Sequence, residues 1–313
     1  MKKKNILIIG GTYFIGKHFL NRISAIDGFE VHVFNRGSRE VVGNHNCLKG
    51  DRDNLEDLEK VFQNRFYDCV IDFCGYRAEQ VEKIFIFKES FDQYVFVSSS
   101  VVYGEGDYAA DESTKCRDVK SFAEYARGKM GIDKYLVENC SNYIIVRPSF
   151  VYGPGEYHSY CSNFMKLIHN NLPIIVPEGE NIEKEIQPLF VGDLVNALID
   201  LIKSDFSNRV FNISGPSIKI SDYFRLIHKI AGNGGTLNIR PLELTNPLNQ
   251  ILLRQYYTDT FKYNITIDSR QLSNVIASKF NDLNALEKGI RVSFEEFRND
   301  LEIDKKIIKY LRG

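Results

Sequence analysis

Four consecutive aliphatic residues, Ile6-Leu7-Ile8-Ile9, run directly into Gly10-Gly11-Thr12-Tyr13-Phe14-Ile15-Gly16 and then into Lys17-His18-Phe19-Leu20. An uninterrupted aliphatic run suits a strand buried on both faces, as in a parallel sheet. A glycine turn between such a strand and a helix aims backbone N–H groups and the positive end of the helix dipole at one point, where a phosphate is stabilised. Gly10 permits the tight turn, and Gly16 lets the helix lie close to the strand. In this context the segment reads as a pyrophosphate loop of a dinucleotide site, contributed by Gly10, Thr12, Tyr13, Phe14, Ile15 and Gly16, in preference to a plain structural turn. Tyr13 stands where the middle glycine of a GxxGxxG spacing would be, so its side chain has to be accommodated beside the loop.

The rest of the chain supports a sheet of that kind. Val31–Phe34, Val70–Phe73, Tyr94–Val97 and Tyr143–Val146 are further mostly apolar runs, interrupted only by His32 and Asp72, and helical patterns lie between them at Phe14–Ala25, Leu55–Phe62, Ala78–Phe87 and Ser121–Asn139. Strand and helix in alternation predict an α/β fold, a doubly wound parallel (Rossmann) sheet with right-handed crossovers. Beyond about residue 170 the rhythm changes. Short strands are predicted at Leu172–Pro177 and Leu189–Val191, a helix at Asp193–Lys203, a returning strand at Val210–Ile213, a helix at Ser221–Ala231 capped by Ser221, and a strand at Thr236–Ile239. The expected organisation is a dinucleotide-binding domain over 1–170, to which 186–216 returns, and a smaller C-terminal α/β substrate lobe from 171–185 and 217–313.

Composition narrows the class. The chain has 40 basic and 41 acidic residues among 313, so it lacks the basic excess of a protein whose main partner is a nucleic acid. No apolar run is long enough to span a membrane, and the basic start followed by Ile6–Ile9 is broken by Gly10 and Gly11 without a small-residue cleavage site. Six cysteines without CxxC spacing fit free thiols in a reducing compartment, here the cytoplasm, and six scattered histidines give no metal-ligand pattern.

The second strand ends in Phe34-Asn35-Arg36-Gly37. An acid at this point accepts from the 2′-hydroxyl of NAD, whereas an arginine suits the 2′-phosphate of NADP, so Asn35 and Arg36 tilt the cofactor towards NADP. Gly50-Asp51-Arg52-Asp53 follows a short third strand, and Asp51 and Arg52 could reach an adenine edge or cap the next helix. Tyr125 and Lys129 are four apart and share a helical face. A cation beside a phenol favours phenolate, so Tyr125 can exchange a proton with a substrate hydroxyl. Ser98-Ser99-Ser100 closes the Tyr94–Val97 strand at the carboxyl edge of a parallel sheet, where ligands bind.

In their order and spacing, GGTYFIG (10–16), GDRD (50–53), VIDFCGY (70–76), FVSSSVVYG (96–104), YARGK (125–129), RPSFVYGPG (147–155), QPLFVGDL (187–194) and FNISGP (211–216) resemble the extended, or atypical extended, short-chain dehydrogenase/reductases of the NAD(P)-dependent epimerase/dehydratase branch. The resemblance implies Tyr125 as acid/base, with Lys129 on the nicotinamide ribose and Ser99 sharing the substrate oxygen. It implies Cys74, Gly75, Pro148 and Val151 beside the cofactor, and Ser100, Tyr103, Asn163 and Arg254 towards a nucleotide-sugar substrate. Cys74 is expected to be buried against the cofactor and unreactive, since no basic partner is evident. Ser100-Val101 replaces the Asp-Glu of the family's dehydratases, which disfavours dehydration. The loop also resembles a subgroup that includes chloroplast stem-loop RNA-binding relatives, although Tyr125 and Lys129 are kept.

The leading expectation is an epimerase working through a transient keto sugar. An NADPH-dependent keto-sugar reductase uses the same residues. A non-catalytic dinucleotide- or RNA-binding relative, or an enzyme of a small carbonyl compound or steroid, stays open. A homodimer through Ala78–Phe87 and Ser121–Asn139 is the expected assembly.

Overall fold

The computed structural model describes residues 3–43, 45–104, 108–117, 123–156, 161–257 and 265–312. Lys4–Ile9 (β1), Phe29–Asn35 (β2), Asn46–Lys49 (β3), Tyr67–Asp72 (β4) and Phe91–Val97 (β5) join Tyr143–Pro148 and Arg209–Ile213 in one seven-stranded sheet. Every pairing in it is parallel. The order is Arg209–Ile213, Tyr143–Pro148, β5, β4, β1, β2, β3.

The aliphatic runs are explained by cover on both faces. Ile6 and Ile8 of β1 enter a core that also contains Phe19 and Leu20 of helix Phe14–Ile23 (α1). Leu7 and Ile9 point the other way, towards Leu58 and Val61 of Leu55–Phe62 (α2), Val81 and Ile84 of Ala78–Phe85 (α3), and Ile132 of Ala123–Asn139 (α4). Strand alternation thus distributes one run between two cores. Residues 121 and 122, with which the sequence opened α4, lie outside the described residues. Because β1 has β2 on one side and β4 on the other, the chain leaves it in opposite directions, and a crevice opens at the carboxyl ends of β1 and β4.

A third core gathers Phe164, Met165 and Leu167 of Ser162–His169 (α5), Tyr223, Phe224 and Ile227 of Ile220–Ala231 (α7), Leu252 and Leu253 of Pro247–Tyr256 (α8), and Leu286 and Ile290 of the helix Leu283–Phe297. Helix Val191–Lys203 (α6) belongs instead with α1 in the first core. Several boundaries differ from the sequence reading. The strand expected at Thr236–Ile239 is Ile239–Leu242, because its register pairs Ile239 with Ile174 and Leu242 with Pro177. Ser221 does not cap α7; the helix begins one residue earlier, with Lys219 at the cap and no side-chain bond there. Val191 opens α6, and the strand before it, Leu189–Phe190, pairs with Val151–Tyr152.

All six cysteines are free thiols. Among the described residues no helix is long and apolar enough to cross a membrane, and no group of side chains is arranged to hold a metal ion.

Candidate active site

The crevice begins at the glycine turn. Gly10 has φ 95° and donates its N–H to Phe34 O at 3.0 Å, and a Cβ on it would stand 3.1 Å from Cys74 Sγ. A Cβ on Gly16 would stand 2.5 Å from Gly11 Cα, so α1 starts pressed against bare backbone. Tyr13 is the extended N-cap residue of α1 and offers no side-chain cap, which leaves the helix N-terminus turned towards the crevice. Its ring is 46% exposed and lies under the Arg39 guanidinium, 3.9 Å from the ring centroid. The side chain that breaks the glycine spacing is therefore accommodated by turning away from the loop, towards the residues after β2.

The resulting cleft has a volume of about 480 Å³. The turn residues 10–16 form one wall, Asn35, Arg36, Ser38 and Arg39 a second, and Gly50–Asp53 with Phe73, Cys74, Tyr76 and Gln80 the remainder. A bare-backbone cradle at a helix N-terminus, placed where the strand order reverses, suits the pyrophosphate of a dinucleotide, and the residues present fit that group.

Arg52 lines this cleft with its guanidinium engaged within the protein. Its Nη1 and Nη2 each donate to Asp72 at 2.8 Å, and Nη1 also reaches Cys74 Sγ at 3.3 Å. Asp72 is fully buried at the end of β4 and also accepts from Tyr94 Oη at 2.8 Å and Cys74 N at 2.9 Å. Burial works to raise its pKa, but Arg52, Tyr94 and the Cys74 amide outweigh it and hold the carboxyl below its ordinary value. Arg52 thus serves as the counter-charge of Asp72 while lining the cleft. Burial, reinforced by Asp72, pushes the Cys74 thiol to about 11, so it stays protonated at neutral pH. Asp51 is exposed beside the cleft and accepts from Asp53 N.

Gly75 and Gly128 bring the next part of the site close. A Cβ on Gly75 would be 2.8 Å from Asp72 Oδ2 and 2.9 Å from Phe96 Cε2, and one on Gly128 only 1.9 Å from Tyr76 O. Helix α4 is therefore seated directly on the segment after β4. Lys129 is 2% exposed, donates to Val97 O at 2.8 Å, and stands 4.5 Å from the Phe96 ring centroid. Burial lowers its pKa to about 8, against the raising influence of Asp72 and Asp133. The Tyr125 ring centroid is 5.6 Å from Lys129 Nζ and 6.2 Å from that of Tyr76. Tyr76, which sequence reasoning passed over, also lies 5.4 Å from Lys129 Nζ and so links the cleft to the Tyr125–Lys129 pair. Ser99 caps the short turn Ser100–Tyr103, accepting from Val101 N at 3.3 Å, and both Ser99 and Ser100 are half-buried at the carboxyl end of β5.

Tyr103 is engaged within the protein. It is fully buried, donates to Asn212 Oδ1 at 2.7 Å and accepts from Arg147 Nη1 at 2.9 Å, while Arg147 Nε bonds Asp133 at 2.9 Å. This network ties α4 to Tyr143–Pro148 and Arg209–Ile213. Pro148 and Val151 are buried at the same carboxyl edge, outside the lining of the cleft. Asn163 Nδ2 donates to Gln255 O, the carbonyl of the residue after Arg254. Leu253, Tyr256 and Tyr257 turn into the third core, and Arg254 stays exposed. Ser38, Arg39 and Gln80 of the cleft were also missed; the only signal was a second arginine three residues beyond Arg36.

The profile of the NAD dependent epimerase/dehydratase family matches residues 6–84 and 84–214. The chain is 31% identical over 230 residues to the chloroplast stem-loop binding protein of 41 kDa b from Arabidopsis thaliana, a match covering 68% of this chain and 59% of that protein. It is 33% identical over 167 residues to the bifunctional UDP-glucose 4-epimerase and UDP-xylose 4-epimerase 1 of Pisum sativum, covering 43% of this chain and 46% of that one. The chain thus matches about half the length of these relatives. Its fold is similar to that of a UDP-N-acetylglucosamine 4-epimerase from Methanobrevibacter ruminantium, with a TM-score of 0.75 at 21% identity over 96% of this chain and 100% of the other. The extent of the family match places the chain in the NAD dependent epimerase/dehydratase family.

Proposed function

We propose that the chain is a nicotinamide-dinucleotide-dependent enzyme of nucleotide sugars, of the epimerase type. The observation that carries this reading is Lys129, buried at the carboxyl end of β5 with Tyr125 beside it and joined through Tyr76 to a glycine-cradled cleft. A bound nicotinamide dinucleotide supplies the hydride acceptor and, once reduced, the donor. Tyr125 takes the proton of the substrate hydroxyl as hydride leaves the same carbon. Lys129 has three N–H donors, of which Val97 O uses one, so two remain for Tyr125 and a ribose hydroxyl. Ser99 offers a hydroxyl to the same substrate oxygen. The keto sugar so formed turns over, and Tyr125 returns the proton as hydride arrives on the other face.

The third core, with Asn163 and Arg254 adjoining at α5 and α8, is assigned to the nucleotide end of the substrate. Asn35 and Arg36 give the preference for NADP, which also suits a reductase that exchanges its cofactor. A homodimer across α3 and α4 belongs to the same reading, since these helices pack together and leave Ile86 and Val137 exposed.

The test is to incubate purified chain with UDP-glucose or UDP-N-acetylglucosamine and follow the sugar by NMR. Epimerisation without stoichiometric dinucleotide is expected, falling about 10²–10⁴-fold in Tyr125→Phe. Stoichiometric consumption of NADPH with a keto sugar identifies the reductase, and binding of a dinucleotide with no turnover of either substrate would turn the reading to a non-catalytic binder.

A further inference from the structure

Three aromatic rings surround the Lys129 ammonium. Its Nζ stands 4.5 Å from the ring centroid of Phe96, 5.4 Å from that of Tyr76 and 5.6 Å from that of Tyr125. The charged groups that act on it from the neighbouring elements are Asp72 and Cys74 at the end of β4, Arg52 after β3 and Asp133 one turn further along α4. Asp72 is already bonded to Arg52 and Asp133 to Arg147, so the rings are the nearer surroundings of the charge. Of the three rings only that of Tyr76 lines the cleft, and Tyr76 is 52% exposed whereas Phe96 is fully buried. Tyr76 is therefore the cover of the ammonium on its solvent side. Its backbone is fixed at both ends: Tyr76 N donates to Gln80 Oε1 at 3.0 Å, and Tyr76 O lies against Gly128 of α4. Gln80 Nε2 in turn donates to Asp53 Oδ2 at 3.0 Å, so the last residue of GDRD helps to aim the ring. Tyr76 is not a second base, since burial, with Cys74 and Asp72, raises its phenol above the ordinary value.

We infer that Tyr76 is a positioning residue acting through Lys129: its ring keeps water off the ammonium and reserves the N–H donors that Val97 leaves for Tyr125 and the ribose hydroxyl. This rests on the reading of Tyr125 and Lys129 as the proton-transferring pair and goes beyond it by naming what keeps that pair dry. A cation weighs far more on a nearby phenol in a dry site than in water. The ring faces of Tyr76 and Phe96 replace part of the hydration the ammonium has lost, which water could otherwise supply only by screening it from Tyr125. The tyrosine that ends VIDFCGY thereby acquires a use that a small residue at the same place would not serve.

Brief labelling of the full chain with acetic anhydride over a series of pH values, read at Lys129 by peptide mass spectrometry, tests the cover without any ligand. In the unaltered chain half-maximal reactivity is expected near pH 8. In Tyr76→Ala water reaches the ammonium, so that point should rise by about one pH unit or more and the limiting rate should increase about tenfold. Turnover gives the second readout. With the ammonium hydrated Tyr125 is less readily phenolate, so the acid limb of kcat should move up by about one pH unit, and kcat at pH 7 should fall about tenfold. Tyr76→Phe, which keeps the ring, should return the labelling profile and the acid limb to their places. Tyr76→Gln, polar and intermediate in size, carries the same expectation as Tyr76→Ala and replaces it if that variant does not fold. An unmoved labelling profile, or an unmoved acid limb, overturns the role of Tyr76 and leaves Tyr125 and Lys129 catalytic. Absence of turnover in the unaltered chain overturns the proposed function instead, and labelling at Lys129 still decides whether Tyr76 covers it.

Discussion

Lys129 is the residue at which stability and chemistry pull apart. An ammonium 2% exposed, with one backbone carbonyl as hydrogen-bond partner, has lost most of its hydration, which is why its pKa falls to about 8. In the unfolded chain it returns to about 10.4, so between pH 8 and that value the unfolded state binds more protons and stability rises with pH. Below pH 8 the whole penalty remains, on the order of 3 kcal/mol. Lys129→Met should therefore raise stability at pH 7 by about 1–3 kcal/mol in urea denaturation, with the gain shrinking as the pH climbs past 8, and should abolish turnover. A loss of stability at pH 7 would show that Asp72 and Asp133 compensate the charge better than the burial implies. The pair Tyr125 and Lys129 was legible in the spacing of YARGK, but its surroundings were not. Arg52 and Asp72 are 20 residues apart and meet only because the turn after β3 folds over the end of β4. Tyr103 shows the same limit: a motif names a residue, while the partners Arg147 and Asn212, far away in the sequence, engage its hydroxyl.

Helix α4 carries a conflict between its own preferences and its packing. On propensity alone, Gly128→Ala and Gly131→Ala should each stabilise an interior helical position by about 0.5–1 kcal/mol. At Gly131 the new methyl would find only Ala78 Cβ at 3.6 Å, an ordinary contact, and that gain is expected in full. At Gly128 it would meet Tyr76 O at 1.9 Å, a backbone atom no rotamer can move. Overpacking of this kind costs about 1–3 kcal/mol, so the sign should reverse, and thermal denaturation of the two variants side by side measures the difference. Because Gly128 lies between Tyr125 and Lys129, the displaced helix should also reduce kcat, which Gly131→Ala should not. The strands of the first half were readable because burial on both faces leaves mostly apolar runs, interrupted only by His32 and Asp72. The segments after residue 170 were less so, since Ile174–Pro177 and Ile239–Leu242 are short and find their register in each other across more than sixty residues.

At the scale of the molecule, the sheet and the third core meet through a few rings. Phe190 packs against both cores, and Leu189–Phe190 pairs with Val151–Tyr152 at the carboxyl edge of the sheet. Tyr152 is fully buried, stands 5.7 Å from Phe190 between centroids, and donates to Leu286 O at 3.0 Å at the start of the helix Leu283–Phe297. That helix fits only because position 289 is glycine: a Cβ there would lie 2.4 Å from Tyr152 Oη and 2.8 Å from the Phe190 ring. Tyr152 is fully buried and cannot give way, so the helix, which packs on α5, α7 and Leu189–Phe190, is what would shift. Gly289→Val should therefore shift the third core relative to the Tyr125–Lys129 pair without touching the glycine cradle. If that core holds the nucleotide end of the substrate, KM for the nucleotide sugar should rise about tenfold or more, because a displacement near 1 Å is enough to cost that much. Dinucleotide affinity, measured by titration on the same protein, should change far less. A parallel loss of both affinities would mean that the junction at Phe190 supports the whole sheet edge, and that the two ligands do not rest on separately supported surfaces.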